Sequence, residues 1–141
     1  MIIDYVAQPN GYGCAIACVA MIVGKTYEAM EAWLLAQGLP RSRMELGIWE
    51  GQYMEALDRH DFVYVRRYRC DAFINGQQRD EWPPKPFAPV HICCADVDGG
   101  HHAFVMLADG RVLDPARPER TAITHPDYKR VDQVLGVWRM P

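Results

Sequence analysis

The stretch Gln8-Pro9-Asn10-Gly11-Tyr12-Gly13-Cys14-Ala15-Ile16-Ala17-Cys18-Val19-Ala20-Met21-Ile22 runs from a Gly- and Pro-rich loop into an apolar segment. The Ala, Ile, Val and Met residues extend far enough for two to three helical turns and predict a helix ending near Gly24. Cys14 falls in the first turn, where unpaired backbone N–H groups and the positive end of the helix dipole favour an anion. A thiolate is such an anion, so the position lowers a thiol pKa from its free value of about 8.5. Gln8, one loop upstream, is placed to bring an amide N–H back beside the sulfur. A nucleophile with an oxyanion donor is what cysteine acyl transfer requires. The plain alternative is structural, since free cysteines are among the most buried residue types.

The length of 141 residues predicts one domain, 1–141, with a single core. Half of the residues are apolar, which is a globular composition. A net charge of -3 and a pI near 5.9 argue against a nucleic-acid partner. Arg66-Arg67-Tyr68-Arg69 is the densest basic cluster and reads as a solvated strand edge. No apolar run approaches the roughly 20 residues of a membrane span, and no signal-peptide pattern opens the chain. The five cysteines, Cys14, Cys18, Cys70, Cys93 and Cys94, show no disulfide-framework spacing. Free thiols and a cytoplasmic location are therefore expected.

Ile2 to Val6 reads as a strand or an extended lead-in. After the Cys14 helix, Thr26 is the natural N-cap of a second helix through Ala36, stopped by Gly38 and Pro40. A third helix is predicted from about Ile48 to Arg59, with Trp49 and Tyr53 pairing at i, i+4. Phe62 to Tyr68 alternates as a half-exposed strand. Cys70 to Lys85 reads as an irregular, mobile loop in which Trp82 could line a groove. Pro89 to Ala95 reads as a buried strand, and His102 to Leu107 with Arg111 to Asp114 as a hairpin around Asp109-Gly110. A short helix from about Pro126 to Leu135 and a last strand from Val137 to Met140 complete the expectation. Helices first and an antiparallel sheet afterwards make an α+β fold.

A cysteine nucleophile needs a base and a group that orients it. Gly99-Gly100-His101-His102-Ala103-Phe104-Val105 supplies two candidate bases, and Asp114 on the neighbouring strand supplies a carboxylate. The turn decides between the histidines, because side chains alternate along a strand. A three-residue loop, Ala108-Asp109-Gly110, pairs Phe104 with Asp114 and puts His102 on the carboxylate's face. A two-residue Asp109-Gly110 turn puts His101 there instead. Both turns are common, and spacing alone leaves both open.

Gln8, Cys14 at a helix start, His102-x-Phe104-Val105 on a strand and Asp114-Pro115 together resemble the papain-like cysteine peptidases. The likeness is closest to the bacteriocin-processing peptidase domains that cut after double-glycine leaders, and it runs in order from Gln8 to Pro115. It implies a papain-like fold, with N-terminal helices packed on an antiparallel β-sheet and the cysteine on the first helix. It also implies Cys14 as nucleophile, His102 as base, Asp114 as its orienter and Gln8 as oxyanion donor with the Cys14 backbone N–H. His102 suits the resemblance better than His101, because Phe104-Val105 follow it at the family's usual offset. Where that family commonly has Asp-Cys-Gly, this chain has Gly13-Cys14-Ala15. The expected partner is a peptide or protein substrate, with no cofactor, no metal, no nucleic acid and no membrane.

Two other readings compete. A structural zinc site would draw on Cys14, Cys18, Cys93, Cys94, His91, His101 and His102, but adjacent Cys93 and Cys94 point to opposite faces of a strand. A non-catalytic binding or inhibitory module would keep the fold without the chemistry. Asp96-x-Asp98-Gly99-Gly100 lacks the remaining oxygen ligands of a calcium loop and reads as a solvated turn.

Overall fold

The computed structural model describes residues 1–70, 73, 74, 77, 78 and 83–141. Helices come first: α1 (Cys14–Val23), α2 (Tyr27–Ala36), α3 (Arg41–Met44) and α4 (Glu50–Arg59). The strands are β1 (Phe62–Cys70), β2 (Phe73–Ile74), β3 (Gln77–Gln78), β4 (Val90–Val97), β5 (Gly100–Leu107), β6 (Val112–Leu113) and β7 (Arg130–Arg139). β2 pairs with β3, and the main antiparallel sheet has the order β1-β7-β4-β5-β6.

α1 is apolar all round, and Ala15 to Ile22 are all buried, as suits a helix enclosed on every side. It packs against α2, α4 and β5. Gly24 ends it with φ 76°, and the N–H groups of Gly24 and Lys25 both reach the Ala20 carbonyl. The Thr26 hydroxyl caps α2 by accepting from the Ala29 N–H at 3.1 Å. Pro40 stops α2 as expected, but it also opens α3, a single turn with no counterpart in the sequence reading.

α4 begins two residues later than predicted, at Glu50, because Trp49 is extended and serves as its N-cap. The expected Trp49–Tyr53 pair does not form. Tyr53 is buried, whereas Trp49 is 68% exposed and lies under the Arg43 guanidinium at 3.8 Å. Leaving the helix at its N-cap points the indole away from the i+4 position. Ile2 to Val6 is an extended lead-in and joins no strand.

The predicted helix Pro126 to Leu135 does not form: Pro126 to Lys129 is turn and irregular chain, and strand begins at Arg130. β7 runs from Arg130 to Arg139 and takes in the rest of that segment and the expected last strand as far as Arg139. Val131, Val134 and Leu135 are spaced like one face of a helix, which produced the misreading. β7 lies between β1 and β4 with both edges paired, so its apolar residues are buried on both faces and the helical spacing is incidental. The stretch Cys70 to Lys85, with Trp82, lies largely outside the described residues, apart from its β-paired positions and its last three residues. The Arg66–Arg67 pair on the edge strand β1 is engaged: Arg66 pairs with Glu50, and Arg67 covers the Phe87 ring at 4.4 Å.

The sheet separates two apolar clusters. One joins the helices to Val90, Ile92, Ala103, Val105, Leu135 and Val137. The other holds Cys93, Phe104, Met106, Val112, Tyr128 and Val134. Cys93 and Cys94 thus sit on opposite faces, as strand alternation requires. Among the described residues, no helix is long and apolar enough to cross a membrane.

Candidate active site

The hairpin between β5 and β6 takes the three-residue form. The Leu107 N–H bonds the Arg111 carbonyl at 2.8 Å, and Gly110 adopts φ 89°, a left-handed conformation that glycine tolerates without strain. Val105 pairs with Leu113 and Met106 with Val112. This register puts His102, Phe104 and Asp114 on one face. His102 Nε2 meets Asp114 Oδ1 at 2.7 Å, both groups being buried. His101 points the other way, half exposed, with Nδ1 at 2.9 Å from Asp96 and Nε2 at 3.4 Å from Asp132.

α1 presents Cys14 to the same point. The first N–H groups of the helix have no intrahelical partner, and Gly13, the N-cap, has no side chain to cap them. A Cβ at Gly13 would collide with the Tyr27 ring and the Asn10 amide, so the close packing of this loop requires glycine. β6 pairs only with Val105 and Met106, which leaves the backbone around Ala103 uncovered on that side among the described strands. The Cys14 thiol sits there, against the Ala103 backbone and the His102 imidazole. With Nε2 held by Asp114, Nδ1 of His102 is the nitrogen left for sulfur.

The electrostatics follow from these neighbours. Burial pushes the Cys14 thiol up, but hydrogen bonding to His102, the Ala103 backbone and the imidazolium charge outweigh it, and the net shift is downward. Burial alone would push His102 down, yet Asp114 and Cys14 raise it to about 9. Asp114 is lowered to about 2: burial works against its charge, while His102 and the Tyr128 hydroxyl overcome that. The other cleft thiol behaves oppositely. Cys94 is raised to about 12, chiefly by burial, and Tyr53 Oη lies 3.6 Å from its sulfur.

The carboxylate is held by more groups than the sequence reading identified. Asp114 Oδ2 accepts from Tyr128 Oη at 2.6 Å and from Arg120 Nη1 at 3.2 Å. Oδ1 also accepts from the N–H groups of Ala116 and Arg117, at 2.9 and 3.2 Å. The Tyr5 hydroxyl donates to the Asp114 carbonyl at 2.7 Å, and the Gln8 N–H to that of Pro115 at 2.9 Å. Tyr128 and Arg120 come from an irregular stretch whose spacing from Asp114 follows no periodicity. Only the composition around Asp114-Pro115 could have pointed to them.

Gln8 is tied to this turn through its backbone, but its side chain faces its own loop. Nε2 donates to the Asn10 carbonyl at 2.8 Å, and Oε1 is buried without a donor. Gln8 is not among the residues that line the cleft. That cleft, about 430 Å³, opens above Cys14, Ala15, His102 and Ala103. Tyr53, Cys94 and Gln133 form its base, where Gln133 Nε2 donates to Tyr53 Oη at 2.6 Å. Its lip is apolar and exposed at Leu46 and Trp49.

The side chains of the zinc reading do not converge. Cys14 meets His102, Cys18 is enclosed in the core, and His91 uses both ring nitrogens on backbone groups. Among the described residues the donors that do gather are Asp96, His101 and Asp132, with His101 Nδ1 hydrogen-bonded to Asp96 at 2.9 Å and its Nε2 3.4 Å from Asp132.

No protein-family model matches the chain, and no curated protein matches it. Among solved structures it is similar to a double glycine motif protease from an AMS/PCAT transporter, determined in complex with the leader peptide. The match covers 99% of this chain and 93% of the other, with a TM-score of 0.62 and 15% identity. At that identity the likeness is one of fold. The α+β chain has the papain-like peptidase fold of that protease, with its helices first and its antiparallel sheet after them.

Proposed function

We propose that the protein is a cysteine peptidase, or a closely related thiol acyl-transfer hydrolase, acting on a peptide or isopeptide bond. The observation that carries this reading is the His102 imidazole, seated between a buried Asp114 carboxylate at 2.7 Å and the Cys14 thiol at an uncapped helix start. In this reading His102 takes the Cys14 proton, giving a thiolate–imidazolium pair, and Asp114 stabilises and orients the cation. The sulfur attacks the substrate carbonyl. The Cys14 backbone N–H and the second Nε2–H of Gln8 hold the oxyanion, once the Gln8 side chain turns toward the sulfur. His102 then protonates the leaving amine, and a water molecule hydrolyses the thioester with His102 as base.

A peptide substrate fits the open cleft and its apolar lip, and the structurally similar protease was determined with a leader peptide bound. Ala15 lines the cleft beside Cys14, where a glycine would leave more room for a substrate backbone.

The test is the pH dependence of Cys14 alkylation by iodoacetamide, read by peptide mass spectrometry. The thiol of the wild type titrates below the ordinary thiol range, and the imidazolium partner is lost as pH rises through about 9. In His102→Ala burial is opposed by the Ala103 and Ala15 backbone groups but no longer by the imidazole, and the inflection moves upward. A Cys14 that reacts no faster than Cys70, or only after unfolding, rules the peptidase reading out.

A further inference from the structure

We propose that Tyr128 and Arg120 are positioning residues that share the charge of Asp114, so that His102 can release its proton during turnover. The proposal rests on the acyl-transfer reading above. Asp114 is fully buried, and its two oxygens divide their donors: Oδ1 faces His102 and two backbone N–H groups, while among the described residues Oδ2 faces only Tyr128 and Arg120. A buried carboxylate whose main donor is an imidazolium holds that cation strongly, because an adjacent opposite charge favours the charged form. Acyl transfer needs the opposite as well. The imidazolium must pass its proton to the leaving group, and the carboxylate must then stay charged beside a neutral ring. Donors on Oδ2 stabilise the anion in that second state and so make departure of the proton less costly.

Both donors are built to persist. The Arg120 guanidinium does not deprotonate, and its Nε is held by Asp127 at 3.0 Å. The Tyr128 ring stacks on Phe104, with centroids 4.3 Å apart, and Phe104 shares its strand face with His102. Among the described residues, the other titratable groups around Asp114 are Cys14 and Cys18 on α1 and Tyr5 on the lead-in, with Glu119 beside Tyr5. Cys93 lies behind Tyr128. None of these donates to Oδ2.

The experiment follows the ring C–H resonances of His102 by NMR across pH in the whole protein, with Tyr128→Phe, Arg120→Gln and Arg120→Lys. Tyr128→Phe keeps the stacked ring, and a thermal melt verifies that each variant is folded. The His102 midpoint moves up by about one pH unit in Tyr128→Phe and at least as far in Arg120→Gln, and it returns toward wild type in Arg120→Lys. The upper inflection of Cys14 alkylation by iodoacetamide moves with it. A midpoint that stays in place overturns the proposal. A midpoint that falls also overturns it, and leaves the two residues with the orientation of the carboxylate as their only role. Wild-type Cys14 alkylation reports the peptidase reading separately, so the two can fail independently.

Discussion

The chain uses the same two residue types twice, with opposite outcomes. Cys14 and Cys18 lie one turn apart on α1, and His91 and His102 lie on the paired strands β4 and β5. Cys18 is fully enclosed, and burial drives its thiol well above the ordinary value. Cys14 is also largely enclosed, yet its thiol is lowered, because an imidazolium and backbone groups meet the sulfur. His91 is buried with Nδ1 on the Met106 carbonyl at 3.0 Å and Nε2 accepting from the Phe87 and Ala88 N–H groups. That pattern holds the ring neutral, and burial lowers its pKa. His102 meets a carboxylate and a thiol instead, and is raised to about 9. Depth is similar in the two pairs, so the partners at the ring and the sulfur decide which group carries charge.

Four substitutions test that contrast, from the largest expected effect to the smallest. Cys14→Ser removes cleavage of a peptide substrate by about 10⁴-fold or more, whereas Cys18→Ala leaves turnover within a few fold and lowers only stability. Equal losses in steady-state assays of the two variants would erase the distinction between the cysteines. Gln8→Ala lowers kcat by about 100-fold to 1,000-fold if its amide turns to the oxyanion, with the alkylation profile of Cys14 unchanged. Unchanged kcat would leave Gln8 as a loop residue bonded to Asn10. His91→Leu leaves the N–H groups of Phe87 and Ala88 without their acceptor, at a cost of about 3 kcal/mol in denaturant unfolding, while the Cys14 inflection stays where it is.

The two histidines also give stability opposite slopes with pH. His102 has a folded value raised from 6.5 to about 9, so its contribution is complete below pH 6.5 and is lost as pH rises through about 9. His91 has a lowered folded value, so the unfolded chain binds more protons below 6.5 and stability declines as pH falls through that range. His91→Leu therefore flattens the acid side of the stability curve and leaves the alkaline side intact.

Much of this arrangement is legible along the chain. The apolar run after Gly13 specifies α1 because every face of it is buried, and Thr26 and Gly24 mark helix ends through local hydrogen bonding and backbone conformation. His102 and Asp114 are visible as residue types near a turn, but their partnership depends on one residue of loop length, which spacing leaves open. The first half of β7 is not legible, because its side-chain spacing satisfies a helix as well as a strand, and only its two neighbouring strands remove the ambiguity. Trp49 eludes a sequence reading because two residues of difference in the start of α4 move the indole from the helix face to the cleft lip.

The sequence by itself determined the α+β order of elements, the cysteine at a helix start and the short roster from which a site could be built. Those features rest on interactions within a turn or two of chain, where periodicity, capping and glycine conformations act. The tertiary structure alone decided which histidine meets Asp114, which thiol meets that histidine, and that Tyr128 and Arg120 close around the carboxylate. These are contacts across strand register and between distant segments. Their electrostatics depend on a few ångströms of separation and on exclusion of water, and neither is written in the spacing of residues along the chain.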